Sequence, residues 1–170
     1  EMGSFNIYDE ITYLWDTDKI TMPGSYKGNL LKNYFMNVLG LHYRFDNSLQ
    51  ITTEYLFNGL GDSNNLDAAN IRYKNGLSSS LNKHIIGISL NYEFNPLLIG
   101  NYDTKIAWED SSNQHNLSLT KSISDNIDFI VGSQINIGDR PNGSNWQNPN
   151  LQSEFGRLTN NYYLKFNCYF

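Results

Sequence analysis

The chain has 170 residues, 12 of them basic and 17 acidic, for a formal net charge of −5; 39 % are hydrophobic and 14 % aromatic. The length suits a single domain over 1–170, and the acidic balance argues against a nucleic-acid surface and a polybasic membrane-docking patch. The one cysteine, Cys168, excludes an internal disulfide and a cysteine zinc site, and the longest apolar runs, such as Leu97, Leu98 and Ile99, fall far short of the roughly 20 residues of a membrane helix.

Period-two alternation of apolar and polar residues then appears segment after segment. The first, 5–15, carries an acid whichever face is chosen: Asp9 shares parity with Phe5, Ile7 and Ile11, and Glu10 with Tyr8, Thr12 and Leu14. A carboxylate on an apolar face is costly, so a bulge or a contact with other protein is expected there. In 35–45, Phe35, Leu39, Leu41, Tyr43 and Phe45 oppose Met36, Val38, His42 and Arg44, with Asn37 the polar intruder. In 49–57, Leu49, Ile51, Thr53, Tyr55 and Phe57 oppose Gln50, Thr52, Glu54 and Leu56. In 86–94, Ile86, Ile88, Leu90, Tyr92 and Phe94 oppose Gly87, Ser89, Asn91 and Glu93. Four further segments, 98–108, 115–123, 127–137 and 162–170, follow the same rule; Tyr102, Ile106 and Trp108 oppose Asp103 and Lys105, and Lys121 falls on the apolar face near a turn.

The connections alternate in length. Three-residue turns at 46–48, 95–97 and 124–126 each contain Asn, and they set Phe45 opposite Leu49, Phe94 opposite Leu98 and Ile123 opposite Ile127. The connections 16–33, 58–83, 109–114 and 138–160 are longer and polar. The aromatics of the apolar face sort to the strand ends: Trp15, Phe35, Tyr55, Phe57, Trp108 and Tyr162 to the long-loop end, and Tyr43, Phe45, Tyr92, Phe94, Phe129 and Phe170 to the other. Short turns at one end, long loops at the other and two aromatic belts predict an all-β, transmembrane, antiparallel up-and-down β-barrel with about eight visible strands. A soluble β-sandwich is the alternative, and it predicts no clustering of aromatics at strand ends.

The last segment, Tyr162-Tyr163-Leu164-Lys165-Phe166-Asn167-Cys168-Tyr169-Phe170, resembles the C-terminal signature of bacterial outer-membrane proteins, in which a terminal Phe follows alternating apolar and aromatic residues. That resemblance implies an outer-membrane location, contact with outer-membrane lipids, handling by the barrel-assembly machinery through this strand, and a true C-terminus at Phe170. The stretches Thr53-Glu54-Tyr55-Leu56-Phe57-Asn58-Gly59-Leu60-Gly61 and Ser153-Glu154-Phe155-Gly156 resemble the C-terminal part of larger porin-like barrels. By that resemblance further strands of the same barrel precede Glu1, and a homo-oligomer is the alternative partner.

The functional expectation is passive passage of small polar solutes, with the lumen-facing Arg44, Glu54, Glu93, Asp103 and Lys105 as selectivity determinants. The alternative is a non-conducting eight-stranded barrel acting as a structural anchor or as a platform for its extracellular loops, since eight strands leave little room for water. An enzyme is not expected: His42, His84 and His115 belong to no nucleophile or metal motif, and no phosphate-cradling glycine loop is present. No cofactor and no metal are implied. The loop 59–82, with Asp62, Asn64, Asn65, Asp67 and Arg72, matches no calcium motif and reads as a solvated extracellular loop.

Overall fold

Among the described residues alternation becomes eight strands: β1 (Ser4–Leu14), β2 (Tyr34–Arg44), β3 (Leu49–Asn58), β4 (His84–Asn95), β5 (Leu98–Ala107), β6 (Asn113–Ser124), β7 (Ile127–Ile137) and β8 (Asn161–Cys168), with a helix, α1 (Leu66–Lys74), between β3 and β4. The structure is a computed structural model and describes residues 4–15, 33–74, 76–143 and 150–169. Each strand pairs antiparallel with the next in chain order, forming one up-and-down sheet. Among the described residues the outer edges of β1 and β8 pair with no strand, so the sheet is compatible with a barrel wall but is not closed. No described helix is long and apolar enough to cross a membrane, which has no bearing on strands.

The pairing register runs in rows across the sheet. On the polar face one row reads Asn6, His42, Thr52, Ser89, Asp103, Asn116, Gln134. The next reads Tyr8, Gly40, Glu54, Gly87, Lys105, Gln114, Asn136. Side chains alternate across a strand, so the apolar set faces the other way and is broadly exposed, as Ile11, Leu39, Leu117 and Leu164 illustrate. The expected bulge in β1 is absent: its register with β2 is continuous from Ser4 to Leu14. Asp9 therefore stands on the apolar face with Phe5, Ile7 and Ile11, where Asn37 Nδ2 donates to its carboxylate at 2.5 Å, and Glu10 falls on the polar face. Bulges lie instead beside two of the short turns, between Glu93 and Asn95 and between Ser122 and Ser124. There Asn95 pairs with Leu98 and Ser124 with Ile127, one residue off the expected partners Phe94 and Ile123, while the rest of both hairpins keeps the expected parity.

The connection 59–82 corrects a second expectation: it is not a solvated loop. Leu60 and Leu81 are fully buried, and Leu66, Ala69, Leu81 and Leu151 form an apolar cluster joining 59–83 to 150–158. The helix forms where Asn65 caps it, its Oδ1 accepting the Ala68 N–H at 3.1 Å, and where Asp67 sits in the first turn. Past its end at Lys74 stands Gly76, φ +72°, whose N–H reaches Tyr73 O while Leu77 N–H reaches Arg72 O, a Schellman closure. A second cluster, Ile85, Ala107 and Phe155 with Leu56 and Leu158, fastens 150–158 to the polar face of the sheet. The loops thus fold onto the sheet at its long-loop end because that end of the polar face is itself apolar.

Candidate functional site

Val38, Leu56, Ile85 and Ala107 interrupt the polar parity of β2 to β5 at one end, and the sheet turns charged one row further in, with Glu54 and Lys105. Roofed by the segments that carry Ser79, Ser80, Phe155, Arg157 and Leu158, this junction forms a partly open cavity of about 330 Å³ whose floor includes Gly87. Gly87 sits between Glu54 and Lys105 in one row, and a Cβ placed on it would meet nothing closer than the Glu54 Cβ at 3.9 Å. The Tyr8 hydroxyl, lying over Gly40, donates to Glu54 Oε1. Among the described residues the Lys105 ammonium makes no hydrogen bond or ion pair.

The roof is held by Glu154, which is 4 % exposed. Its Oε2 accepts the backbone N–H of Leu81 at 2.7 Å and of Asn82 at 2.9 Å, and the Asn82 amide at 3.3 Å. Asp110, in the β5–β6 connection, accepts from Asn82 Nδ2 and from the Glu154 backbone N–H, both at 2.7 Å. Ser112 Oγ accepts the Phe155 N–H at 3.1 Å. Three connections meet at this knot, so buried backbone groups far from any strand ladder are satisfied. Burial raises the Glu154 carboxyl above the usual carboxylate range, against the pull of the Asn82 and Leu81 amides and of Arg157. Arg157 Nη2 is 3.9 Å from Glu154 Oε1, and its guanidinium lies 4.8 Å from the centre of the Tyr73 ring. Burial likewise lowers Arg72, opposed by Asp62 at 3.6 Å, an ion pair that ties α1 to the start of its own loop.

Of the five sequence-predicted lumen residues, all on the polar face, only Glu54 and Lys105 line the cavity. Arg44 pairs across with Gln50 near the short turns, Glu93 lies opposite Ile99, and Asp103 accepts the Ser89 hydroxyl at 2.6 Å. Tyr43, Phe45, Tyr55, Tyr92, Phe94 and Trp108 carry the apolar parity, with T-shaped contacts of Tyr43 with Phe45 at 4.5 Å and of Tyr92 with Phe94 at 4.8 Å. Trp15 stacks on Tyr13 at 6.4 Å, and Phe170 lies outside the described residues. The histidines do not converge. His42 bonds Thr52 on the polar face, while His84 and His115 stack on Tyr55 and Tyr102 on the apolar one. Among the described residues no group of three or more His, Cys, Asp or Glu is arranged to hold a metal, and Asp67 instead accepts the Leu151 N–H.

Sequence reasoning missed Glu154, Arg157, Asn82 and Asp110. The available signal was the apolar run of Val38, Leu56 and Ile85 on a face that is mostly polar, which requires something apolar to cover it. Compared with protein-family models, curated proteins and solved structures, the chain shows no match.

Proposed function

We propose that this chain forms part of the wall of a bacterial outer-membrane β-barrel that passes small solutes, with the loop-roofed cavity as the constriction of its lumen. The observation that carries the reading is the two-faced sheet. One face exposes apolar side chains with aromatics at both strand ends, and the other gathers charged groups beneath folded loops. An apolar sheet face of this size in water would be an aggregation surface, whereas in lipid it is the stable arrangement. Unpaired backbone is not tolerated at an edge within hydrocarbon, so the free edges of β1 and β8 are completed by further strands, from a longer chain or from another copy. A wall wider than eight strands also leaves room for water, which a closed eight-stranded barrel lacks.

Single-channel recording of the full-length protein in a planar bilayer tests this. Stepwise currents are expected. Silence from protein shown to be folded and inserted would overturn the pore and leave the non-conducting barrel, with its role moved to the loops.

A further inference from the structure

We propose that the cavity over Gly87 recognises small zwitterions with an apolar body, aliphatic and aromatic α-amino acids being the class that fits; its role in transport rests on the pore reading above.

Four charged side chains line the cavity, and two of them are spent. Glu154 gives its Oε2 to the Leu81 and Asn82 amides, and Arg157 donates Nε to Glu154 O at 3.0 Å while lying over Tyr73. The two that remain are Glu54 and Lys105. Their backbones belong to one row with Gly87 between, two strand spacings or about 10 Å apart. They form no ion pair. Glu54 Oε1 is taken by Tyr8, but Oε2 lies 4.0 Å from where a Gly87 Cβ would stand, facing the gap. A carboxylate and an ammonium therefore flank the cavity, and among the described residues no side chain pairs with either as a counter-ion.

A solute with one charge would pair with one pole and be repelled by the other. A solute with both charges satisfies both, its ammonium toward Glu54 and its carboxylate toward Lys105. Its body then meets Leu56 and Ile85 below and Phe155 above. The volume of about 330 Å³ lies at the lower end of small-molecule sites, suiting a solute of amino-acid size.

Calorimetry on the folded full-length protein in detergent, with L-leucine as the probe, tests this apart from conduction. The controls are 4-methylpentanoate and 3-methylbutylamine, which keep the branched body and carry one charge each. Each is expected to bind about tenfold more weakly than leucine, the loss of one charge-assisted hydrogen bond. Glu54→Gln should erase leucine's advantage over the carboxylate, and Lys105→Met its advantage over the amine. Gly87→Phe, filling the gap at a position with ordinary backbone angles, should abolish binding while the circular dichroism stays native. The inference is overturned by mono-ions that bind as well as leucine, by no saturable leucine binding to natively folded protein, or by charge variants that leave the order unchanged. Leucine binding without current would sink the pore and keep the site; current without leucine binding would do the reverse.

Discussion

Glu154 concentrates the conflict between burial and hydrogen bonding. Its carboxylate is the acceptor for two backbone amides that have no other partner among the described residues, so Glu154→Ala leaves both unsatisfied in a buried site, at about 1–3 kcal/mol for each. Burial nonetheless holds its pKa above the ordinary value, so the docked roof binds a proton more tightly than the released one. The contribution of this group to docking is then greatest below the ordinary glutamate pKa and is lost as pH rises through the raised one. Hydrogen exchange at the Leu81 and Asn82 amides, corrected for intrinsic rates, should show protection falling from acid toward neutral pH, and Glu154→Gln should flatten that dependence. Asp9 poses the opposite problem, a carboxylate on an apolar face whose side-chain partner among the described residues is Asn37. If that face meets lipid, Asp9→Asn removes a charge while keeping a polar partner for Asn37. The urea midpoint in lipid vesicles should then rise by the equivalent of about 1 kcal/mol. An unchanged midpoint would mean that other protein covers β1.

The roof is the element on which the site depends, and its attachment is steric as well as polar. Phe155, 7 % exposed, is the plug between the loop and the Ile85–Ala107 patch. Gly156 is required by close approach, since a Cβ there would stand 2.2 Å from Asp139 O and 2.6 Å from the Gly138 carbonyl carbon. Phe155→Ala should cost about 3 kcal/mol of docking, and Gly156→Ala about 1–3 kcal/mol by overpacking. Both should speed proteolytic cleavage within 138–160, and in the proposed pore both should raise conductance while leaving the strand signal in circular dichroism intact. Conductance unchanged in a variant that is readily cleaved would show that the roof does not restrict the passage.

At the scale of the whole molecule the question is which medium each face meets. In a Cys168→Ser background, Val131→Cys places a thiol on the apolar face of β7 and Gln134→Cys one on the polar face. In membranes a charged maleimide should modify the second and spare the first. Equal labelling of both would sink the membrane reading. Labelling of neither, with a membrane-permeant maleimide modifying both, would describe a closed, dry interior in place of a channel.

Strand identity, antiparallel order and the division of residues between two faces follow from local chemistry. A period-two pattern and a three-residue turn fix parity between neighbours, and the pairing of Arg44 with Gln50 and His42 with Thr52 follows from that parity alone. The same parity puts Glu54 and Lys105 on one face, yet in the sequence they are two among many polar residues. Their selection depends on Gly87 lying between them and on a roof contributed from 150–158, roughly fifty residues or more away in the chain. Docking of a loop is decided by a non-local match of apolar surface and by buried amides that find a carboxylate, neither of which leaves a periodic trace. The open edges of β1 and β8 have the same character. Alternation specifies which face a residue takes, while closure depends on how many strands meet and at what stagger, which only the assembled sheet decides.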